Sequence, residues 1–411
     1  MTGICRHCRS ALSRTFVDLG AAPPSNAYRR PEQLSEPEIW LPLRVLVCER
    51  CWLVQTADFT APESLFDAEY GYFSSMSASW LAHAEAYAEA MVARFGLGPA
   101  SRVVEVASND GYLLQYVAAR GIPCLGVEPT ASTAAAARAK GIPTLEAFFG
   151  RALARTLVAE HGPADLTAAN NVLAHVPDID DFVGGFAILL AEGGVATFEF
   201  PSLLSLVAER QFDTIYHEHY SYLSLTAVER IFAANGLVVF DVETLPTHGG
   251  SLRIFAERAD ARRRAEGAGL AAQRTREAQA GVASAAFYEG FQAQAEAVKD
   301  EFLRFLLDAK RDGKRVCAYG AAAKGNTLLN FAGVRPDLLP FVVDRSPGKQ
   351  GRHMPGSRIP IVSEERIAET RPDLVVILPW NLRAEIAAQL AYVGEWGGRF
   401  VAAVPRLEVF G

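Results

Sequence analysis

The chain has 411 residues, of which 50% are apolar, and its 47 Asp and Glu against 40 Lys and Arg give a formal net charge of −7. This acidic balance excludes the basic field that non-specific nucleic-acid binding requires, and the length predicts two or three domains rather than one. The sequence has no run of eighteen apolar residues and no signal-peptide pattern, so we expect a soluble, cytoplasmic protein without membrane association.

Residues 1–65 are predicted to form a small zinc-binding module. Their cysteines occur as two Cys-x-x-Cys pairs: Cys5, Cys8, Cys48 and Cys51. Two residues between the cysteines let both sulfurs face one point, and two such turns supply a closed tetrahedral shell for a structural Zn²⁺. His7 is a further candidate ligand, and the alternatives are unrelated reduced thiols or a redox pair. The apolar alternation of residues 41–48 predicts a β-ribbon around the metal.

Residues 66–260 are predicted to contain a Rossmann-like, doubly wound sheet. A long helix is expected from about Trp80 to Phe95, because Ala and Leu recur there at helical spacing. From residue 101, short β-branched segments alternate with Ala-rich helical segments, a rhythm typical of a parallel sheet. Strands are predicted at 103–104, 124–127, 165–168 and 195–199.

The first strand-to-helix turn of this domain, residues 105–111, lacks the glycines of a dinucleotide-binding loop. Such glycines admit the pyrophosphate of a dinucleotide, whereas Asn109 and Asp110 suit a cofactor that has an uncharged linker or an amino-acid moiety. The pattern therefore favours S-adenosylmethionine over NAD. Glu128 follows about twenty residues later, where an acid accepts hydrogen bonds from ribose hydroxyls. The residues expected to line the cofactor are Glu105, Ala107, Ser108, Asn109, Asp110, Gly111, Glu128, Asn170, Asn171 and His175. For His175, helix capping or a role in the core is an equal alternative.

Residues 216–220, Tyr-His-Glu-His-Tyr, place five titratable side chains in five positions. In an extended segment Tyr216 and Glu218 share one face, whereas in a turn several of these side chains converge. A metal site is disfavoured, because His217 and His219 have no obvious third ligand nearby in the sequence. General acid–base chemistry fits better, since histidine titrates near neutrality and a tyrosine can stabilise an enolate oxygen. The alternative is a surface loop with incidental charges.

Residues 248–253, His-Gly-Gly-Ser-Leu-Arg, are predicted to end a strand-turn-strand region. Their glycine pair permits close approach of a ligand, and Arg253 can hold a phosphate or a carboxylate. A plain hairpin turn is the alternative. Residues 261–310 lack strand signals and are rich in Ala, Gln, Glu and Arg, which predicts a helical connection between two domains.

Residues 311–411 return to the α/β rhythm and are predicted to form a second Rossmann-like domain. Residues 320–327 resemble a phosphate-binding turn, but Lys324 precedes Gly325, unlike the order in an ATPase loop. Backbone amides and Lys324 at the start of a helix suit a diphosphate. Asp344, at the end of the next strand, is placed to bind a hydroxyl group.

Taken together, these motifs resemble those of the sugar C-methyltransferases, S-adenosylmethionine-dependent enzymes that methylate carbon 3 of nucleotide-linked 4-keto-deoxysugars. The resemblance runs nearly end to end. It rests on the cysteine pairs and on residues 105–111, 216–219, 248–253 and 319–326. It implies that the cofactor lies in the central domain, and that a nucleotide-diphosphate keto-sugar lies between this domain and the C-terminal domain.

The resemblance also implies roles for single residues. Tyr216, Glu218 and His219 match the active-site tyrosine, acid and histidine, and Tyr72 matches a further active-site tyrosine. The expected substrate contacts are Tyr70, His248, Arg253, Tyr319, Lys324, Asn326 and Asp344. Ala107 stands where the family commonly has glycine, and we expect its methyl group to be tolerated if its φ is negative.

The same residues predict methylation of a carbon beside a ketone. His219, oriented by Glu218, is expected to remove the α-proton, and the resulting carbanion takes the methyl group. Tyr216 or Tyr72 is expected to stabilise the enolate, and Tyr216 also competes for the role of base. The alternatives are an O- or N-methyltransferase, a nicotinamide-dependent sugar dehydrogenase that binds NAD in its C-terminal domain, and a non-enzymatic zinc adaptor. A monomer and a homodimer are both compatible with the sequence.

Overall fold

The structure, a computed structural model, describes residues 3–57 and 73–411. Its N-terminal part consists of short strands around the two turns that carry the cysteines. The strands are β1 (Gly3–Ile4), β2 (Ala11–Leu12), β3 (Arg14–Ala22), β4 (Leu41–Val47) and β5 (Val54–Thr56). β1 pairs with β2, and β3, β4 and β5 form an antiparallel meander. Leu43, Val45 and Val47 are buried, as the alternation of residues 41–48 predicts.

The central part is an α/β domain. Its strands are β6 (Val103–Val106), β7 (Cys124–Val127), β8 (Thr144–Leu145), β9 (Ala164–Asn170), β10 (Leu190–Pro201), β11 (Ser221–Tyr222), β12 (Leu237–Leu245) and β13 (Ser251–Arg258). Its helices are α1 (Ala78–Phe95), α2 (Leu114–Ala118), α3 (Ala131–Ala139), α4 (Arg151–His161), α5 (Ile179–Leu189), α6 (Leu203–Ala208) and α7 (Leu225–Ala234). Within the described residues, seven strands form one sheet in the order β12-β13-β10-β9-β6-β7-β8.

This sheet confirms the Rossmann-like prediction but is mixed rather than parallel. β6 to β10 run parallel, whereas β12 and β13 form an antiparallel hairpin at one edge. The short turn between the hairpin strands cannot make the crossover that a parallel pair requires. The strand order reverses between β6 and β9, and ligands of such sheets bind in the crevice at the carboxyl ends of these two strands.

β11 departs from the central sheet and joins the N-terminal one. It pairs antiparallel with β5, with Ser221 opposite Gln55 and Tyr222 opposite Val54. Among the strands that the structure describes, the N-terminal sheet therefore has the order β11-β5-β4-β3. Residues 216–220 directly precede β11, so this pairing holds them beside the cysteine-bearing module.

A helical connection leads to a second α/β domain, as predicted. Its helices are α8 (Ala268–Ala280) and α9 (Phe291–Arg311). The strands that follow are β14 (Val316–Tyr319), β15 (Val342–Val343), β16 (Ile361–Val362), β17 (Leu374–Ile377), β18 (Arg399–Ala402) and β19 (Glu408–Phe410), with helices α10 (Ala323–Phe331), α11 (Glu365–Thr370) and α12 (Arg383–Gln389). The described strands form a sheet in the order β16-β15-β14-β17-β18-β19, parallel except for β19.

One apolar core joins the N-terminal part to the C-terminal domain. Phe16 of β3 stacks on Phe291 of α9 with ring centroids 4.4 Å apart, and the same buried cluster contains Leu328 and Trp380. Burying a large apolar side chain contributes about 1.5–3 kcal/mol, so this shared core strongly couples the parts. In residues 3–57 and 73–411, no helix has both the length and the apolar character needed to span a membrane.

Candidate active site and metal centre

The four predicted cysteine ligands converge, with all their sulfurs within 4.8 Å of one another. Cys5 Sγ lies 3.5 Å from Cys51 Sγ, and Cys8 Sγ lies 3.4 Å from Cys48 Sγ. Thiolates bound to Zn²⁺ at about 2.3 Å in a tetrahedron are separated by roughly 3.8 Å. The cluster therefore fits a structural zinc ion.

The two cysteine turns share one backbone conformation. In each, the residue after the second cysteine has a positive φ, 60° at Arg9 and 62° at Trp52. Its N–H donates to the carbonyl of the first cysteine, over 3.1 Å at Cys5 and 2.7 Å at Cys48. The repeated turn brings both sulfurs of each pair to the same side, as the spacing predicts.

The side chains beside the cluster tie it to its surroundings. Gln55 Nε2 donates to Cys5 Sγ over 3.3 Å, and the backbone N–H of Arg6 donates to Gln55 Oε1 over 2.9 Å. His7 is not part of the sulfur cluster, because its Nδ1 lies 2.7 Å from Asp180 Oδ1 in the central domain. The prediction of His7 as a further ligand is therefore wrong, since its ring forms an inter-domain hydrogen bond instead.

The turn after β6 has an unusual backbone. Ala107, Asn109 and Gly111 have φ values of 58°, 48° and 76°. The condition under which we expected the methyl group of Ala107 to be tolerated, a negative φ, is therefore not met. The turn requires left-handed residues at alternate positions to fold back under the end of β7, where the N–H groups of Ala107 and Ser108 donate to Val127 O. An alanine in this region is strained by about 1–2 kcal/mol.

Glu128 fixes the shape of this turn. Its Oε2 accepts the backbone N–H of Asn109 and its Oε1 accepts that of Thr130, both over 2.9 Å. A carboxylate has about four lone-pair positions, so each oxygen keeps acceptor capacity for a hydroxyl group. Glu128 thus stands at the end of the second strand of the sheet in the position predicted for a ribose contact.

Two further carboxylates lie at the same edge of the sheet. Glu105 is fully buried, and burial raises its pKa well above 4.5; hydrogen bonding to Tyr112 opposes this, and the charges of Glu128 and Asp110 add to it. Asp110 accepts a hydrogen bond from Lys140 Nζ over 2.9 Å, which compensates its charge. Glu105 therefore holds its proton more tightly than an ordinary carboxyl group, and Lys140 balances Asp110, so these two groups supply polar atoms to the crevice rather than a strong negative field.

The end of β9 supplies neutral polar groups to the crevice. Asn171 has a φ of 55°, and its buried Nδ2 and Oδ1 have no hydrogen-bond partner among the residues that the structure describes; the same holds for Asn170 Oδ1. Buried amides without partners are costly unless a ligand or water satisfies them. These orphaned groups fit the prediction of a cofactor site at this point.

The segment 213–222 adopts the turn alternative at Tyr216 and His219. The His219 N–H donates to Tyr216 O over 2.9 Å, and the two rings lie 3.9 Å apart between centroids. His219 Nδ1 lies 2.8 Å from Thr214 O. A carbonyl accepts but cannot donate, so Nδ1 carries the proton and Nε2 keeps its lone pair. Burial, followed by the charge of His175, lowers the pKa of His219 well below 6.5.

Glu218 does not orient His219. Its Oε1 accepts a hydrogen bond from Asn26 Nδ2 over 2.7 Å, in the N-terminal part. The predicted orienting role is therefore wrong: the turn directs Glu218 away from the His219 ring, and the carbonyl of Thr214 fixes the ring instead. Burial raises the pKa of Glu218 to about 7, although the Asn26 contact opposes the shift.

The N-terminal and central parts fix the end of this segment. The N–H of Thr56 donates to Tyr220 O over 3.1 Å, and Thr56 Oγ1 donates to His219 O over 3.2 Å. The N–H of Tyr220 donates to Ala174 O over 2.8 Å. The backbone around His219 is thus bonded on both sides before β11 begins.

The C-terminal domain fixes the beginning of the same segment. Trp380 Nε1 donates to Asp213 Oδ2 over 2.7 Å, and Thr327 Oγ1 donates to Ile215 O over 2.8 Å. Asp213 precedes Thr214, whose carbonyl holds the His219 ring. Contact between the domains therefore bears on the orientation of His219.

Lys324 lies at this contact. Its Nζ donates to Asn381 Oδ1 over 2.7 Å and lies 4.6 Å above the centre of the Trp380 ring. Burial lowers the pKa of Lys324, while the charge of Asp213 opposes the shift, and its own charge adds to the lowering of the pKa of His219. The structure therefore brings this predicted contact of the C-terminal domain into the electrostatic environment of His219.

Arg253 is bound to protein carboxylates. It contacts Glu199 Oε1 at 2.6 Å and Glu243 Oε2 at 2.8 Å. These pairs compensate its buried charge inside the protein, which differs from the predicted contact with a ligand. His248, at a φ of 54°, places its ring 5.3 Å from that of Trp80, and burial lowers its pKa to about 4.

The remaining predicted contacts of the C-terminal domain have protein partners. The Tyr319 hydroxyl is hydrogen-bonded to two side chains of its own domain. Asp344 Oδ2 accepts the N–H of Ala321 over 2.8 Å and lies 3.3 Å from Lys349 Nζ. Asn326 is fully buried, and its Nδ2 has no partner within residues 3–57 and 73–411. Among the described residues, Asn326 therefore has an unsatisfied amide group, like Asn170 and Asn171, whereas Tyr319 and Asp344 are hydrogen-bonded to the protein.

Family models match three successive parts of the chain. A zinc binding domain matches residues 5–66, a methyltransferase domain matches residues 80–242, and a C-methyltransferase C-terminal domain matches residues 246–405. The C-methyltransferase NovU of Streptomyces niveus is 35% identical over 405 residues, which cover 98% of this chain and 96% of that protein. The chain belongs to the C-methyltransferase family.

Solved structures of other methyltransferases resemble part of this C-methyltransferase. An S-adenosylmethionine-dependent methyltransferase of Anabaena variabilis has 13% identity and a TM-score of 0.38, covering 49% of this chain and 96% of that one. Magnesium protoporphyrin IX methyltransferase of Synechocystis has 15% identity and a TM-score of 0.32, covering 42% and 79%. Similarities of this extent carry no argument about function.

Family membership confirms the main predictions. The C-methyltransferase depends on S-adenosylmethionine and has an N-terminal zinc-binding domain, as the motifs indicate. It also excludes the two alternatives outside the methyltransferases, a sugar dehydrogenase and a zinc adaptor. Tyr70 and Tyr72, predicted as a substrate contact and a catalytic residue, lie outside the described residues.

Several residues around the site of this C-methyltransferase escaped sequence reasoning. Asn26 contacts Glu218, Trp380 contacts Asp213, and His83 Nε2 lies 2.8 Å from Glu199 Oε2. Asn26, Trp380 and His83 belong to no motif, and each of these contacts joins residues more than a hundred positions apart. Only Asp213, three positions before Tyr216, stood near a signal that could have drawn attention to it.

Replacing Ala107 with glycine is expected to stabilise the enzyme by about 0.5–1 kcal/mol. Glycine relieves the left-handed strain, and the entropy that its unfolded chain gains offsets part of this benefit. The free energy of unfolding in urea measures the effect. The matched control is Ala135→Gly on the exposed side of α3, which should destabilise by about 1 kcal/mol. Equal destabilisation by both variants would show that Ala107 is not strained.

The raised pKa of Glu218 predicts pH-dependent stability. Its pKa is about 7 in the folded enzyme against an ordinary 4.5, so the folded state binds this proton more tightly and stability is lost as pH rises between these values. The loss amounts to about 3 kcal/mol at pH 8. Glu218→Gln removes the charge and keeps an acceptor for Asn26, so it should raise the free energy of unfolding at pH 8 and have little effect at pH 4.5.

The control for this prediction is Glu209→Gln, which makes the same change in charge at an exposed position. Unfolding in urea at several pH values between 4.5 and 8 compares the two variants with the unchanged enzyme. Curves of the same slope for Glu218→Gln and the unchanged enzyme would rule out the raised pKa.

Proposed function

We infer that this C-methyltransferase transfers a methyl group from S-adenosylmethionine to carbon 3 of a nucleotide-diphosphate 4-keto-deoxysugar, through an enolate. The observation that carries the proposal is the state of His219, a neutral imidazole whose Nδ1–H is bound to Thr214 O and whose Nε2 lone pair is available. The resemblance to sugar C-methyltransferases supplies the substrate class.

His219 acts as the base in this proposal. The substrate C–H bond breaks, its proton moves to Nε2, and its electron pair passes into the enolate, so that the imidazole becomes an imidazolium. A base that is neutral at physiological pH does not have to lose a proton first.

Tyr216 is the donor placed to support the enolate. Its ring lies against that of His219, with centroids 3.9 Å apart and the planes tilted by 33°, so a ketone bound beside Nε2 has a phenol close by. A hydrogen bond that strengthens as charge develops on the ketone oxygen lowers the barrier to proton removal. Tyr72 stays a predicted partner in this role.

The crevice at the ends of β6 and β9 would hold the cofactor. Glu128 is placed for ribose hydroxyls, and the amides of Asn170 and Asn171 are placed for other polar groups of the cofactor. S-adenosylmethionine bound there would supply the methyl group: a C–C bond would form at the carbanion as the S–CH3 bond breaks, and S-adenosylhomocysteine would leave with the electron pair. We place the nucleotide sugar between the central and C-terminal domains, next to Lys324.

Mass spectrometry tests the proposal. The enzyme is incubated with methyl-labelled S-adenosylmethionine and a panel of thymidine-, guanosine- and cytidine-diphosphate 4-keto sugars. A labelled methyl group on a sugar carbon, with exchange of the substrate α-hydrogen in deuterated water, is the expected result. Label on oxygen or nitrogen would instead select an O- or N-methyltransferase, and transfer without hydrogen exchange would contradict the enolate.

A further inference from the structure

The first cysteine turn sends two side chains away from the metal cluster and into the central domain. Arg6 is buried, and its guanidinium donates to Thr56 O over 2.9 Å and to Pro177 O over 3.2 Å. The next residue, His7, pairs with Asp180 at 2.7 Å. Coordination of zinc by cysteines explains neither contact, because both groups point away from the sulfurs.

Arg6 also reaches the segment that carries His219. Its guanidinium carbon lies 5.2 Å from the centre of the Tyr220 ring, within the range of a cation–π contact. Arg6 donates a hydrogen bond to the carbonyl of Thr56. Thr56 in turn donates its N–H to Tyr220 O and its hydroxyl to His219 O. The path from Arg6 to the backbone of His219 therefore has one intermediate residue.

The second cysteine turn lacks this feature. It carries an arginine between its cysteines as well, but Arg50 is exposed. Within residues 3–57 and 73–411 its contacts are made by its backbone: the carbonyl accepts a hydrogen bond from the side chain of Arg230, and the N–H donates to Cys48. Glu49 is also exposed and pairs with Arg14 on the surface. Burial of a guanidinium costs free energy unless the group is well paired. The buried position of Arg6 therefore indicates a role that the exposed Arg50 does not have.

We propose that Arg6 is a positioning residue for His219, and that the zinc-bound turn serves the active site by holding Arg6 in place. The metal cluster fixes the backbone on both sides of Arg6, Arg6 fixes the end of β5, and β5 with β11 fixes the segment 213–222. The naming of His219 as the base rests on the proposed function; the mechanical connection does not.

The test compares Arg6→Met with Arg50→Met, which remove the same charge from the two cysteine turns. Both variants are expected to retain zinc and affinity for S-adenosylmethionine. Arg6→Met should lower kcat by about 10–100-fold with KM within about threefold, because small misplacement of a catalytic group is costly. Hydrogen–deuterium exchange of peptides spanning residues 213–222 should become faster in Arg6→Met and stay unchanged in Arg50→Met.

Equal kcat and equal deuterium uptake in the two variants would overturn the proposal. If Arg6→Met loses zinc or fails to fold, Thr56→Val decides, because it removes the hydroxyl contact with His219 O and leaves the cysteine turn and the Thr56 carbonyl in place. Normal kcat and normal uptake over residues 213–222 in Thr56→Val would then overturn it. If the unchanged enzyme methylates no sugar, the proposed function fails, whereas deuterium uptake still tests the positioning role of Arg6.

Discussion

Replacing His219 with asparagine is expected to lower methyl transfer by about 10²–10⁴-fold and to abolish exchange of the substrate α-hydrogen with solvent. Asparagine Nδ2 can keep the hydrogen bond that His219 Nδ1 makes to Thr214 O, so the turn is preserved. The variant has no counterpart of the Nε2 lone pair. The loss therefore reports on the base and not on the fold of the segment.

Two assays separate the steps. Incorporation of deuterium into the keto sugar follows proton removal, and transfer of labelled methyl follows the complete reaction. The matched control is His217→Gln, two positions away, because the His217 Nε2 contacts Leu41 O at 3.2 Å and the glutamine amide can replace it. This control should retain both activities within about threefold, since a conserved hydrogen bond leaves stability nearly unchanged.

Persistence of hydrogen exchange in His219→Asn would remove His219 as the base. Tyr216 is the competing candidate, and Tyr216→Phe separates the two roles. If Tyr216 is a donor to the enolate, Tyr216→Phe should slow hydrogen exchange less than His219→Asn does. If Tyr216 is the base, Tyr216→Phe should abolish hydrogen exchange, whereas His219→Asn should retain it.

Replacing Cys51 with serine is expected to release zinc and unfold the N-terminal part. Binding of a structural zinc ion contributes roughly 10–16 kcal/mol in small zinc domains, and so small a module depends on this free energy for its fold. Metal analysis per chain measures the loss of the ion. Thermal unfolding and faster deuterium uptake in residues 3–57 measure the loss of structure.

Cys124→Ser is the control for this substitution. Cys124 is partly buried in β7 and lies outside the sulfur cluster, so this variant should retain one zinc ion per chain. Its melting temperature should change by only a few degrees, as is usual for a small change in packing. Full zinc content and unchanged melting in Cys51→Ser would show that the ion does not support the fold.

The features that the sequence predicted are local. The cysteine pairs depend on a two-residue spacing, α1 on the helical recurrence of apolar residues, and Glu128 on its distance along the chain from the turn 105–111. Each pattern acts over a few residues or over one βα unit, where spacing alone determines which side chains meet. Family membership then confirmed S-adenosylmethionine as the cofactor and the presence of a zinc-binding domain.

The features that the sequence did not predict depend on contacts between distant parts. Glu218 binds Asn26, Arg253 binds Glu199, and the His219 ring binds a carbonyl where a carboxylate was expected. Asn26 reaches Glu218 through the packing of the N-terminal part, Arg253 lies opposite Glu199 because β13 pairs with β10, and the turn before His219 places the Thr214 carbonyl. None of these arrangements leaves a periodic trace in the sequence. The φ of Ala107 was missed for a related reason, since the fold of the turn, and not the residue type, imposes it.

The pairing of β5 with β11 has a consequence for synthesis. Thr56 and His219 are 163 positions apart, so the N-terminal sheet lacks its edge strand until residues 221–222 have left the ribosome. During that interval the edge of β5 is open to pairing with other chains, a recognised route to aggregation. The N-terminal sheet is therefore completed only after the chain beyond residue 222 has emerged, and slow translation or truncation before residue 222 should favour misassembly.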